Sequence, residues 1–213
     1  MNGNSLIRRP FRYGNHNLAI WIIAINVLVF ALEYLVPYAY PLLAMTPSLV
    51  LSGAFWQPFT YMFVHDPRSI SHILVNMLGL LFFGTAVERE LGSKEFLLYY
   101  LLTGFLAGLF SFAAYLAMGM NVSLLGASGA VFAVLLAFAT LQPNAQIYIW
   151  GIIPMRAPIM VLGYTGIELF SQVVGSQSGV AHLTHLAGFA FGWLYFLVRF
   201  GVNPWRRFFP RGR

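Results

Sequence analysis

The chain has no cysteine, so disulfides and thiolate metal centres are excluded. It has few charges: 8% of its 213 residues are Asp, Glu, Lys or Arg, against about 25% in soluble domains. Acids are the scarcer kind, six against twelve basic residues. Internal repeats and low-complexity stretches are also missing. What fills the space is hydrophobic, 59% of the chain, with 17% aromatics. This describes an all-α polytopic membrane protein. The net charge of +6 does not imply nucleic acid as a partner, because the basic residues gather at the ends and beside apolar runs. There they act as topology signals.

Six apolar runs of spanning length or slightly less follow one another, at about 18–35, 72–87, 96–118, 128–141, 157–174 and 180–200. Residues 1–17 read as a cytoplasmic tail, 18–200 as one membrane domain, and 201–213 as a basic cytoplasmic tail. Residues 36–71 carry too many aromatics and leucines for a water-exposed loop. We expect short helices in the interfacial layer there, anchored by aromatic side chains. With both termini inside, the inner face receives Arg8, Arg9, Arg12, Arg89, Lys94, Arg156, Arg199, Arg206, Arg207, Arg211 and Arg213, and the outer face only Arg68. That bias supports the span count and the orientation.

Polar groups inside spans are costly and each needs a reason. They are His72, Asn76, Ser128, Glu168, His182 and His185. The fourth span is short: from Ser128 to Gln142 is about 14 residues, roughly 21 Å at 1.5 Å per residue. Ser128 then lies roughly 9 Å below the outer face of a 30 Å core. His185 is as far from Arg199 as Ser128 is from Gln142, and His72 and Asn76 bracket the same depth when counted from Glu88. His72 and Asn76 share a helix face. Gly188 and Gly192 continue the face of His185, a small stripe that lets another helix approach closely. The start of the fourth span, Gly126-Ala127-Ser128-Gly129-Ala130, is equally small.

These types support one chemistry. Ser128 needs a base to become a nucleophile, and a neutral His185 suits that role. No acid is expected where it would orient the imidazole, so the arrangement reads as a dyad. Backbone N–H groups at the start of the fourth helix, Asn76 and His72 form an oxyanion site. Blander readings stand beside this one. Ser128 alone suits a packed helix start, and His72 with Asn76 suits interhelical hydrogen bonding. His182 and His185 could pair on a metal, with His72 as the third ligand that zinc requires. Glu168 reads as lining a wet cleft or pairing with a polar neighbour, and His65 as bonding locally. A small transporter relaying protons or metal through these histidines is a further alternative.

Gly126-Ala127-Ser128-Gly129-Ala130 resembles the GxSG motif of the rhomboid family of intramembrane serine proteases. His72-Ile73-Leu74-Val75-Asn76 resembles its HxxxN motif, and Ala181-His182-Leu183-Thr184-His185-Leu186-Ala187-Gly188 its sixth-helix motif. Trp56-x-x-x-Thr60-x-x-x-x-His65 and Glu88-Arg89-Glu90-Leu91-Gly92-Ser93 are similar to the end of its first loop and the close of its second helix. The resemblance departs at Gln57, where the family has arginine, and at Phe132, where it often has tyrosine.

The resemblance implies a six-transmembrane-helix rhomboid-like bundle with a short fourth helix and an interfacial first loop. It implies serine endopeptidase activity with Ser128 and His185 catalytic, and His72, Asn76 and the Ser128 backbone at the oxyanion. The substrate it implies is a single-pass transmembrane protein, entering from membrane lipid and cut near the outer face. No metal or cofactor is implied, and a prokaryotic cell (inner) membrane is expected. A non-enzymatic rhomboid-like binder of membrane clients is the alternative within the same resemblance.

Overall fold

A computed structural model describes residues 10–36, 38–149, 151–174 and 179–210. The elements run α1 Leu18–Leu35, three short helices α2 Ala39–Leu43, α3 Pro47–Leu51 and α4 Gln57–Thr60, then α5 Ile70–Gly79 and α6 Thr85–Leu91. A π turn at Leu80–Gly84 joins α5 to α6 into one rod. Next come α7 Ser93–Ala117, α8 Ser128–Leu141, a hairpin of β1 Gln146–Ile149 and β2 Ile153–Arg156, α9 Ala157–Val174, α10 Gly179–Tyr195 with a π turn Phe196–Phe200, and α11 Pro204–Phe208. Helices occupy the apolar runs of the sequence to within a few residues. Most of the turn expected at Gly175–Gly179 lies outside the described residues, as do Arg8, Arg9, Arg211 and Arg213.

Among the described residues, four helices are long and apolar enough to cross a membrane: Leu18–Leu35, Ile70–Leu91, Ser93–Ala117 and His182–Phe200. Ser128–Leu141 is apolar but shorter. α8 is the axis of the bundle. It is buried at nearly every position from Gly129 to Thr140 and packs on α5, α7, α9 and α10. A helix apolar all round belongs in such a place. It stops at Gln142, ahead of Pro143, which cannot continue the ladder. α1 is the opposite case: Ala19, Ile22, Asn26 and Glu33 face the protein while Trp21, Leu28 and Leu35 face outward. Apolar groups that face outward along a spanning helix meet lipid.

Two findings depart from the expected architecture. β1 and β2 pair antiparallel, Gln146 with Arg156 and Ile149 with Ile153. Isoleucines and Tyr148 favour that pairing, and Gly151, at φ +72°, supplies part of the turn. Residues 201–210 are also more than a charged tail. Asn203 caps α11 by accepting from Trp205 N at 3.0 Å, and Phe208 is buried against the bundle.

The 36–71 segment folds as the expected short helices and is tied down. Gln57, where the family pattern has arginine, is buried and holds the loop at both ends of its amide: Nε2 donates to Pro41 O (3.0 Å) and Oε1 accepts from Thr46 N (3.0 Å). Trp56 Nε1 donates to Leu42 O (2.8 Å) and Thr60 Oγ1 to Leu43 O (2.7 Å). Reciprocal bonds between Met45 and Leu124, at 3.0 and 2.8 Å, then fix the segment to the link that precedes Ser128.

Candidate active site

Ser128 is the first residue of α8. The chain reaches it through Gly126, at φ +111°, where side chains are strained. Gly126 N donates to Tyr61 O at 3.0 Å, so the first loop fixes this turn. Space also demands glycine: a Cβ there would meet His72 Nε2 at 2.9 Å and lie 3.7 Å from Ser128 Oγ. The His72 ring therefore sits against the turn that carries the serine. The first intrahelical bond of α8 is Val131 N to Ala127 O. The N–H groups of Ser128 and Gly129 precede that ladder and stand at the positive end of the helix dipole.

α10 comes in through glycine. A Cβ on Gly188 would lie 2.0 Å from Gly129 O, and one on Gly192 would lie 3.3 Å from Ala133 Cα. Backbone-to-backbone contact at this point brings His185 Nε2 to 2.8 Å from Ser128 Oγ. The imidazole stacks on Phe132, centroids 4.2 Å apart and planes 7° from parallel. Phe132 thus fixes the ring plane without a hydroxyl.

The expectation that no acid approaches His185 is wrong. Glu168, buried on α9, has Oε2 at 2.5 Å from His182 Nδ1 and Oε1 at 3.1 Å from His185 Nδ1. The second contact is within ion-pair range, yet His185 Nδ1 has no hydrogen bond of good geometry. At 3.1 Å the two groups attract electrostatically. Sequence counting could have found this carboxylate: it lies 12 residues after Arg156, roughly 18 Å into the span, at the depth of Ser128.

Glu168, His182 and His185 also offer one ligand atom each, all within 4.8 Å of one another. If a metal were held here its third ligand would be Glu168; His72, the expected third, is not part of that set. Asn76 is buried and uses one amide hydrogen on its own helix, donating to His72 O at 2.8 Å. An amide nitrogen has a second hydrogen. His65, expected to bond locally, is buried with its ring beside the Phe63 backbone and 5.2 Å from the ring of His72. Its backbone N donates to Glu33 Oε2 at 3.2 Å. Burial, with a smaller contribution from the His72 ring, lowers the His65 pKa from 6.5 to about 4.

The rhomboid domain model matches residues 52–202, more than half of the chain. The chain belongs to the rhomboid family. Similar curated rhomboid proteins include RHOMBOID-like protein 12, mitochondrial, of Arabidopsis thaliana, 36% identical over 58% of this chain and 42% of that protein. RHOMBOID-like protein 1 of the same plant is 32% identical over 74% of this chain and 39% of its own length. Rhomboid protease GluP of Bacillus subtilis (strain 168) is 33% identical over 59% of this chain and 26% of that protein. The chain thus spans about two fifths or less of the rhomboid relatives it matches here. They come from a plant and a bacterium and include a mitochondrial protein, so they do not support the expectation of a prokaryotic membrane.

Proposed function

We propose that this rhomboid is an intramembrane serine endopeptidase that cuts single-pass transmembrane proteins near the outer membrane face. The observation that carries the reading is the 2.8 Å contact between Ser128 Oγ and His185 Nε2, across helices packed backbone to backbone at Gly188 and Gly129. A relative described as a rhomboid protease supports it. In this mechanism His185 takes the Ser128 proton as Oγ bonds to the scissile carbonyl carbon. The carbonyl electron pair moves onto oxygen, where the Ser128 N–H, Asn76 and His72 donate to it. Collapse breaks the C–N bond, and His185 gives its proton to the leaving amine. Water then hydrolyses the acyl-enzyme by the same route. All these groups belong to the chain, and the reaction requires no metal or cofactor.

The reading includes six spans in residues 18–200 with both termini on the inner side. α8, too short to cross, would leave a depression above Ser128 through which water reaches the site. The substrate would enter sideways from membrane lipid.

The test uses the purified protein in detergent with a single-span substrate and a serine-directed activity probe. Wild type cleaves and is labelled, Ser128→Ala and His185→Ala do neither, and His72→Ala is still labelled. If Ser128→Ala and His185→Ala cleave as well as wild type, the proposal fails.

A further inference from the structure

We infer that Glu168 is a positioning residue for His185, turning the expected dyad into a Ser128–His185–Glu168 triad. This rests on the protease reading above and adds a third group to it.

Tautomer and burial make the argument. His185 Nε2 faces Ser128 Oγ at 2.8 Å. To accept the serine proton, Nε2 must carry none, so in the neutral ring the hydrogen sits on Nδ1. That Nδ1 is buried and, Glu168 aside, has no hydrogen-bond partner among the described residues. Its acceptor in reach is Glu168 Oε1, at 3.1 Å. A carboxylate there favours the Nδ1–H tautomer and stabilises the imidazolium formed when Ser128 gives up its proton. The proton stays on the ring until the leaving amine takes it; Glu168 keeps its charge throughout. The 3.1 Å separation suits a resting site, where such bonds are often long and tighten in the reacting complex.

A role for Glu168 in joining α9 to α10 would need only its bond to His182. That bond uses Oε2 and leaves Oε1 directed at His185. His182 then acts on the carboxylate rather than on the serine: it holds one oxygen so that the other faces Nδ1. The arrangement also explains an acid in a membrane span, since intramembrane carboxylates are costly and mark function.

The experiment measures kcat and KM of the full chain in detergent on a single-span substrate, for wild type, Glu168→Leu and Glu168→Asp. Nitrogen-15 NMR of labelled histidines, with His185→Ala to assign the signal, reads the tautomer. Glu168→Leu should lose up to about 10⁴-fold in kcat, the loss seen when a triad acid is replaced, with KM changed less than twofold. Glu168→Asp should recover at least tenfold of that loss. Wild-type His185 should be protonated at Nδ1, and Glu168→Leu should move the population toward Nε2–H. The inference is overturned if Glu168→Leu keeps the wild-type kcat. It is equally overturned if wild-type His185 carries its hydrogen on Nε2, a readout that needs no variant to fold. Ser128→Ala and His185→Ala separate the two claims. If they are inactive while Glu168→Leu is active, only the triad fails; if they are active, the protease reading fails with it.

Discussion

Two polar clusters lie at opposite ends of this bundle, and they are built differently. At the arginine-rich end, Glu88 Oε1 and Oε2 accept from Leu18 N (2.7 Å) and Ala19 N (2.8 Å), capping α1, and Ser93 Oγ donates to Glu88 as well. Glu95 there takes a two-pronged bond from Arg199, at 2.7 and 2.8 Å, and another from Tyr195. Every carboxylate oxygen of that cluster is partnered. Around Ser128, by contrast, both ring nitrogens of His65 and Glu33 Oε1 are buried without a well-aligned hydrogen bond among the described residues, and His185 Nδ1 has only its 3.1 Å contact with Glu168. A satisfied network holds helices together, and an unsatisfied one is costly unless it serves something else. The inference is that one end staples the fold and the other is kept available for chemistry.

Substitutions can break this contrast or sharpen it. The largest effect is expected at the unsatisfied end. Ser128→Ala should lower kcat by about 10⁶-fold, as loss of a nucleophile does in serine proteases, while thermal melting stays within a few degrees of wild type. Asn76→Ala should cost about 10²- to 10³-fold in kcat if its free amide hydrogen serves the oxyanion, measured with the same substrate. A change in KM alone would remove Asn76 from that role. At the satisfied end the balance should reverse. Glu95→Ala leaves Arg199 without its carboxylate and should destabilise by about 3 kcal/mol, read in a denaturation series. Activity per folded molecule should stay within twofold; a selective loss of kcat would erase the distinction between the two ends.

The smallest effect concerns His65. Its pKa is depressed to about 4 in the folded protein and returns to 6.5 on unfolding. The unfolded chain therefore binds a proton first as pH falls. His65's contribution to stability is whole above about pH 6.5 and declines from there to about pH 4, by at most about 1.4 kcal/mol per unit. Melting scans of wild type and His65→Gln across that range should show a flatter pH dependence in the variant. Equal slopes would mean that His65 is not the titrating group.

Much of this was legible in the residues. Hydrophobic runs and their polar ends located the helices because a spanning segment must be apolar over its length. Depth counting placed Ser128 level with His185 because rise per residue is fixed. Gly188 announced a close approach, and its contact with Gly129 O is the one that follows. The carboxylates were less legible. Glu88 reads as a charge closing a span, yet it is buried as a cap for a helix that starts 70 residues earlier. Gln57 breaks the family pattern but keeps the loop tied, since an amide can donate and accept at once.

What the sequence by itself determined is the inventory and its depth: which helices form, where they end, and which polar groups share a layer. These follow from local rules of length, periodicity and hydropathy. Only the tertiary structure decided which of those groups touch. A helix must be rotated about its axis to aim a side chain, and that rotation is set by packing against neighbours far away in the chain. So the approach of α10 at Gly188 set the Ser128–His185 contact, and the packing of α9 against α10 brought Glu168 to both histidines.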